Sequence, residues 1–244
     1  HVTLVTAYDY PTGRLLDEAG VDIVLVGDSL GMVVLGFPDT THVTLDHMLH
    51  HVEATARGVK NALLVGDMPI HSYDTVEQAV QSAKKLFLAG ADAVKLEGGA
   101  AQAGNIRAIV EAGIPVVGHI GLLPQKVLEE GGYKIKGKSS AEEEALVRDV
   151  EAVAEAGACA VVVEGVTPHA ARQVTVHSSI PTLGIGSGSH TCDGDVVVIH
   201  DLVGAFPWFI PAFVKPRADV AGSMTAAVKE WMEDCYTEPG SISS

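Results

Sequence analysis

Five short apolar runs of the sequence each end in an ionisable side chain. In chain order these residues are Asp28, Asp67, Lys95 with Glu97, His119 and Glu164. The aspartates and the nearby glutamate are hard oxygen ligands without a neighbouring His or Cys set, which favours Mg²⁺ over zinc. One such residue alone could simply begin a loop or cap a helix. Five successive runs with the same kind of ending indicate a shared site.

This set of residues predicts metal-assisted carbon–carbon bond chemistry next to a carbonyl group. Mg²⁺ held by one or two carboxylates keeps positions for a bidentate oxygen chelator such as an α-keto acid. The metal would stabilise an enolate, which lowers the barrier to removing the adjacent proton. Lys95 adds positive charge for a carboxylate or enolate oxygen. Glu164 stands alone after an apolar run, so desolvation should raise its pKa and suit it to act as a general base.

A repeated unit must position these side chains. Four times, a helix-like segment ends at a glycine and a short β-rich run follows. The glycines are Gly20, Gly90, Gly113 and Gly157. A glycine just past a helix is the usual left-handed stop signal, and continuous apolar runs are typical of parallel strands covered on both faces. With LVTAYD at the start and IPTLGIG and VVVIHD near the end, we count seven or eight strands alternating with helices.

This alternation over 244 residues predicts an α/β fold, a single-domain (β/α)8 TIM barrel. An open doubly wound sheet is the alternative. Two segments have clear helical spacing, TVEQAVQSAKKLFLAG and AEEEALVRDVEAVAEAG, and the second begins at Ser140 with a capping-box pattern. We predict the barrel over residues 1–237 and a disordered tail over residues 238–244. The active site of such a barrel lies at the carboxyl ends of its strands, where the ionisable residues are expected.

Composition excludes several classes of partner. Asp and Glu number 31 against 16 Lys and Arg, giving a formal net charge of −15, so no basic surface is available for nucleic acid or an anionic membrane. No apolar run approaches the roughly 18 residues of a membrane span. The cysteines Cys159, Cys192 and Cys235 are far apart and form no CxxC pair, which favours a reducing, cytoplasmic location.

At these same positions the sequence resembles the ketopantoate hydroxymethyltransferase family. The matching stretches include VGDSLGMVVLGFPDTTHVTLDHMLHH, AGADAVKLEGG and GIPVVGHIGLLPQ, in family order from about Thr3 to Asp219. The resemblance implies a Mg²⁺-dependent barrel of the phosphoenolpyruvate/pyruvate type. It implies transfer of a hydroxymethyl group from the co-substrate 5,10-methylenetetrahydrofolate to 3-methyl-2-oxobutanoate by way of a Mg²⁺-stabilised enolate. The product would be 2-dehydropantoate, for pantothenate and coenzyme A synthesis.

The resemblance also implies a role for each matching residue. Those implied to hold Mg²⁺ are Asp28, Asp67 and Glu97. Those implied to bind the keto acid are Asp28, Ser29, Asp67, Lys95 and His119. Glu164 would be the catalytic base that takes the C3 proton. Family members are typically homodecamers and carry a helix before the first strand, a helix that the sequence, opening at His1, does not show.

Two other functions remain open at this point. A different Mg²⁺ barrel enzyme, a carbon–carbon or carbon–phosphorus lyase, would share the metal acids and commonly adds a loop cysteine, for which Cys192 is the remote candidate. A barrel kept as a binding scaffold would bind no Mg²⁺. The pair His47 and His51 has the spacing of a helical metal site, but no third ligand is evident and Thr44 indicates an ordinary helix start, so we interpret these histidines as solvated or subunit-facing.

Overall fold

The computed structural model describes residues 1–236 and contains a closed barrel of eight parallel strands in chain order. The strands are β1 (Val2–Thr6), β2 (Ile23–Val26), β3 (Leu63–Asp67), β4 (Ala93–Lys95), β5 (Val116–Gly121), β6 (Ala160–Glu164), β7 (Thr182–Ile185) and β8 (Gly194–Val197). Each strand pairs in parallel with the next, and β8 pairs with β1. The predicted (β/α)8 barrel is confirmed, and the open-sheet alternative is wrong.

Helices follow most of the strands. They are α1 (Tyr10–Ala19), α2 (Leu30–Val33), α3 (Leu45–Ala56), α4 (Val76–Leu88), α5 (Ala103–Glu111), α6 (Ser140–Glu155), α7 (Pro168–His177), α8 (Ile199–Leu202) and α9 (Val220–Tyr236). The four glycines predicted to stop helices all have positive φ, between 81° and 110°. That conformation suits glycine because it has no Cβ to clash with the backbone. No helix within residues 1–236 has the length and hydropathy needed to cross a bilayer.

The predicted alternation fails at the last connection of the barrel. Residues 186–193 join β7 to β8 without a helix. Both strands have four residues, so eight connecting residues of at most about 3.5 Å each are long enough to return along the sheet. The last strand also differs from the predicted VVVIHD run, because β8 ends at Val197 and α8 begins at Ile199.

The start of α6 lies one residue earlier than the sequence pattern suggested. The N-cap is Ser139, which has extended backbone angles and accepts a hydrogen bond from the Glu142 N–H at 3.3 Å. Ser140 is the first residue of the helix. The Glu142 carboxylate accepts from the Lys138 N–H at 2.8 Å and so holds the residue before the cap. The predicted cap at Ser140 is therefore wrong, although the helix itself is confirmed.

The chain divides into two compact units, His1–Val198 and a second that begins at Ile199. The first contains the whole barrel. In the second, the Arg217 N–H donates to the Leu202 carbonyl at 2.7 Å, and the Val220 N–H donates to the Val203 carbonyl at 3.1 Å. The boundary predicted at residue 237 stays a prediction, and the predicted disordered tail, 238–244, lies outside the described residues.

The interior of the barrel is apolar, and polar side chains of several strands lie at its carboxyl-end rim. Its apolar cluster consists of Leu4, Ile23, Leu25, Val65, Ala93, Val117, Ala160, Val162 and Leu183. Successive strand residues point to opposite faces, so the residue two positions further along points inward again. Lys95, His119 and Glu164 therefore continue the interior lines that begin at Ala93, Val117 and Val162. The local sequence of each strand thus determines which polar side chains face the axis.

Candidate active site

The two predicted aspartates meet at the carboxyl ends of β2 and β3. Asp67 is the last residue of β3, and Asp28 lies two residues beyond the end of β2. The backbone N–H of Asp28 donates to Asp67 Oδ2 at 3.1 Å. Both residues are buried, with exposures of 5% and 1%. The structure therefore brings together the two carboxylates that the sequence separates by 39 positions.

Lys95 pairs directly with Asp67 because the two residues are register partners on β4 and β3. Its ammonium group donates to both carboxylate oxygens of Asp67, at 2.7 and 2.8 Å. Burial alone would lower the pKa of Lys95, but the negative charges of Asp67, Glu97 and Asp28 outweigh that effect and raise it. Lys95 therefore stays protonated inside the barrel and provides a fixed positive charge at the site.

His119 lies between two carboxylates. Its Nδ1 is 3.5 Å from Glu97 Oε1, and its Nε2 is 3.3 Å from Glu164 Oε2. In the described part of the chain, neither ring nitrogen makes a hydrogen bond of good geometry. Burial, together with the charge of Lys95, lowers the pKa of His119, so the ring is neutral near pH 7. The Glu164 side chain is 24% exposed, so the desolvation expected for it from sequence is only partial.

Ser29 lies on the same rim as Asp28. It precedes α2, yet its hydroxyl makes no capping hydrogen bond to that helix. Instead, Ser29 Oγ lies 2.9 Å from the hydroxyl of Tyr8, a buried residue just beyond β1. Ser29 is half-buried and follows Asp28 directly in the chain. The neighbouring Asp9 only caps α1, by accepting from the Thr12 N–H at 2.8 Å.

Two polar residues that the strand-end argument missed complete the site. Gln125 lies in a 3₁₀ turn, Pro124–Lys126, beyond β5, and its side-chain amide donates to Asp28 Oδ2 at 2.8 Å. Its backbone N–H donates to Glu97 Oε2 at 3.1 Å. The Tyr73 hydroxyl donates to Gln125 Oε1. Neither residue carries a charge, but Gln125 is the polar residue that ends the apolar stretch GLLPQ at the end of β5, a signal that could have marked its position.

The charges of the site are unbalanced. Three buried carboxylates, Asp28, Asp67 and Glu97, surround the one ammonium group of Lys95. Burial and the charge of Asp67 raise the pKa of Asp28 from 3.8 to about 7. Burial and the charge of Asp28 likewise raise the pKa of Glu97 well above its ordinary value. Removing carboxylates from water without enough positive charge penalises their ionised form, which is the physical cause of both shifts.

The donor set fits a divalent cation that prefers oxygen ligands. Within residues 1–236, Glu97 Oε1 is buried without a hydrogen-bond partner, and the excess negative charge would be offset by two positive charges. As the side chains stand, no three His, Cys, Asp or Glu groups of that range form a ligand cluster. Both oxygens of Asp67 accept from Lys95, and one oxygen of Asp28 accepts from Gln125. A cation bound at these carboxylates would have to share their oxygens with those donors.

The other sequence signals have structural roles. His47 completes a capping box with Thr44 at the start of α3, and His51 Nδ1 lies 2.6 Å from the Tyr8 carbonyl oxygen. Cys192 lies two residues before β8 begins, at the amino end of that strand and away from the carboxyl-end rim. Its position gives no support to a lyase with a catalytic loop cysteine. Cys159, Cys192 and Cys235 are free thiols.

Comparison with known proteins agrees with this geometry. A sequence model of ketopantoate hydroxymethyltransferase matches residues 1–239. A 3-methyl-2-oxobutanoate hydroxymethyltransferase of Ignicoccus hospitalis is 50% identical over 234 residues, covering 96% of this chain and 88% of the relative. Among solved structures, phosphoenolpyruvate phosphomutase from Streptomyces platensis subsp. rosaceus is similar in fold, with a TM-score of 0.68 and 18% identity over 98% of this chain and 87% of that one.

A phosphonopyruvate hydrolase solved in complex with oxalate and Mg²⁺ shares the fold as well, with a TM-score of 0.64 and 15% identity. The alignment covers 97% of this chain and 94% of that one. At such low identity the two solved structures establish the barrel architecture alone. The sequence relatives are far closer and align over nearly the whole chain. This chain therefore belongs to the ketopantoate hydroxymethyltransferase family of enzymes.

Proposed function

We propose that this enzyme transfers a hydroxymethyl group from 5,10-methylenetetrahydrofolate to 3-methyl-2-oxobutanoate and forms 2-dehydropantoate in pantothenate synthesis. Family membership supports hydroxymethyl transfer to a small-molecule substrate. The observation that carries the proposal is the convergence of Asp28, Asp67 and Lys95 at one rim. At the same rim, His119 lies between Glu97 and Glu164. Together they provide anionic ligands, a fixed positive charge and a carboxylate at one rim.

Asp28 and Asp67 are the residues that would hold Mg²⁺, with Glu97 adjoining it. The bound cation supplies a positive charge that stabilises the negative charge developing on the carbonyl oxygen of the keto acid. The unmatched buried carboxylates support this assignment. Lys95 holds Asp67 in one orientation, because its ammonium group donates to both carboxylate oxygens.

Glu164 is proposed to take the proton from C3 of the keto acid. Its carboxylate is partly exposed at the rim and can therefore contact a ligand, whereas Glu97 is buried. The Nε2 atom of His119 lies 3.3 Å from Glu164 Oε2 and so stands beside this carboxylate. Water adds to the one-carbon unit of the folate, its two C–N bonds break with protons going to the nitrogens, and tetrahydrofolate leaves as the unit becomes formaldehyde. C3, left with the electron pair, then bonds the formaldehyde carbon, and the resulting alkoxide takes up a proton to give the hydroxymethyl group. Ser29, half-buried beside Asp28, would bind the keto acid.

Hydrogen exchange tests the base directly and does not require the folate. The wild-type enzyme with Mg²⁺ should exchange the C3 hydrogen of 3-methyl-2-oxobutanoate with D₂O, as followed by proton NMR. Glu164→Gln should slow exchange by about 10²- to 10⁴-fold, because a general base is lost. Glu151→Gln, on an exposed position of α6, is the matched control and should exchange normally. Undiminished exchange in Glu164→Gln would remove this residue from the base role.

Product formation separates this activity from lyase chemistry on the same barrel. 2-Dehydropantoate should form only when 5,10-methylenetetrahydrofolate is added, whereas C3 exchange should proceed without it. Cleavage of a 2-methylmalate-type or phosphonate substrate in the absence of folate would contradict the proposal. The rim position of Glu164 and the remote position of Cys192 support the transferase.

The oligomeric state and the cellular compartment are also proposals, and both rest on the same family membership. We propose a homo-oligomer, a decamer as the family resemblance implies, in the cytoplasm. The second unit exposes large aromatic side chains that water solvates poorly, including Trp208 at 81% and Trp231 at 65% exposure. The free thiols of the chain are compatible with a reducing compartment.

A further inference from the structure

Gln125 uses every hydrogen-bonding group of its side chain inside the candidate site. It is 3% exposed, and its Nε2 donates both to Asp28 Oδ2 at 2.8 Å and to the Met68 carbonyl at 3.0 Å. Its Oε1 accepts from the Tyr73 hydroxyl. A side-chain amide with both donors and its acceptor engaged has little freedom to rotate. Gln125 is therefore a fixed connection between β3, the loop that carries Tyr73 and the end of β2.

The orientation of this amide follows from its neighbours. A backbone carbonyl only accepts hydrogen bonds, so the NH₂ group must face Met68, which leaves the amide oxygen toward Tyr73. The Tyr73 hydroxyl, itself buried, supplies the donor that this oxygen needs. The Met68 carbonyl thus selects the orientation in which an N–H group, and not the oxygen, faces the Asp28 carboxylate, and the Tyr73 hydroxyl supports that orientation.

Gln125 also contacts Glu97, through its backbone. Its N–H bonds Glu97 Oε2 at 3.1 Å, while its side chain bonds Asp28 Oδ2. One oxygen of each carboxylate is therefore held by the same residue. The other oxygen of Glu97 is buried and, within residues 1–236, has no hydrogen-bond partner. One oxygen of each carboxylate therefore contacts Gln125, and the other oxygen points away from Gln125 and can contact a ligand.

We infer that Gln125, held in one orientation by the Met68 carbonyl and Tyr73, is a positioning residue that presents the Asp28 and Glu97 carboxylates to a divalent cation. This inference rests on the proposed function, because the cation is the one that the proposed reaction uses. Partners that orient metal ligands commonly change metal affinity by about 10- to 100-fold when they are removed. The same residue would not alter affinity if it served only to fill space.

The test measures binding of Mg²⁺ alone, by calorimetry, to the metal-stripped wild-type protein and its variants. Gln125→Met keeps the side-chain length and removes the amide, so Mg²⁺ affinity should fall about 10- to 100-fold. Tyr73→Phe removes one hydroxyl and should weaken binding less. In the Gln125→Met background, Tyr73→Phe should cause no further loss, because the hydroxyl acts through the amide. Gln81→Met, at an exposed position of α4, is the matched control and should bind normally.

The outcomes separate this inference from the proposed function. Tight Mg²⁺ binding by the wild type and an unchanged affinity in Gln125→Met would overturn the positioning role and leave the transferase proposal intact. Absence of Mg²⁺ binding by the wild type would overturn both. If Gln125→Met fails to fold, as judged by circular dichroism, Tyr73→Phe provides the test instead. Weaker Mg²⁺ binding by Tyr73→Phe with an unchanged melting temperature supports the positioning role of Gln125. Unchanged Mg²⁺ binding by Tyr73→Phe overturns that role.

Discussion

Asp28 has an environment that penalises its charge when no cation is bound. Burial and the neighbouring Asp67 raise its pKa from 3.8 to about 7. Between pH 3.8 and about pH 7, Asp28 is deprotonated in the unfolded chain but still protonated in the folded protein. The stabilising contribution of protonated Asp28 is fully present below pH 3.8, and it is lost as pH rises through about 7.

Asp28→Asn should therefore remove a pH dependence of stability. With EDTA present, the free energy of unfolding of the variant, relative to wild type, should rise between about pH 4 and pH 7, by on the order of a few kcal/mol. Urea unfolding at several pH values measures this difference. Glu151→Gln, exposed on α6, should show no such trend relative to wild type. A difference for Asp28→Asn that stays flat or falls over this window would contradict the assigned environment.

Sequence reasoning selected most of the residues that the structure brings together at the candidate site, for a physical reason. A charged side chain directly after a buried strand is conspicuous, and Asp67, Lys95 and Glu164 are the last residues of their strands. Ser29 came only from the family resemblance. Gln125 was missed because a neutral amide four residues beyond β5 gains its importance from contacts made across the barrel. Its place at the end of an apolar stretch marks the position but does not reveal those contacts.

The helices and strands show which local signals are dependable. Glycine stops after four helices were predicted correctly, because their positive φ depends on a single residue. The cap of α6 was misplaced, because two adjacent serines offer the same hydroxyl and backbone conformation decides between them. The helix expected between β7 and β8 is absent from residues 186–193, since short strands allow a direct return.

A pair of alanine variants distinguishes the two serines at α6. Ser139→Ala should cost about 1 kcal/mol in the free energy of unfolding, because the Glu142 N–H loses its side-chain acceptor. Ser140→Ala, at the first helical position, should be close to neutral. Chemical denaturation of both variants measures the difference. A larger loss for Ser140→Ala would show that the helix begins one residue later than we describe.

Closure of the barrel unites residues from distant parts of the chain. Along β3, β4, β5 and β6, the inward-facing positions pass from apolar core residues to a polar side chain at or near the carboxyl end, so one architecture provides both the apolar core and the site. The sequence predicted this arrangement from repeats of helix, glycine and strand. It did not predict the exposed aromatic side chains of the second unit, and exposure in a single chain does not identify a partner for them.

The size of the particle in solution tests the predicted assembly. A decamer of the 25.4 kDa chain should have a mass of about 250 kDa by light scattering coupled to size-exclusion chromatography. Replacing Trp231, which is 65% exposed on α9, by glutamate should reduce that mass if this face is covered by another copy. Glu230→Gln, also exposed on α9, is the control and should leave the mass unchanged. A wild-type monomer near 25 kDa would contradict the prediction.

Crystals grown with Mn²⁺ and 3-methyl-2-oxobutanoate provide the most direct test, because Mn²⁺ prefers the oxygen ligands that Mg²⁺ uses and scatters anomalously. We expect one anomalous peak at the barrel rim, bound by carboxylate oxygens of both Asp28 and Asp67, with the keto acid beside it and its C3 facing Glu164. Ordered keto acid with no metal between the two aspartates, or a metal bound elsewhere in the chain, would contradict the shared cation on which the proposed reaction depends.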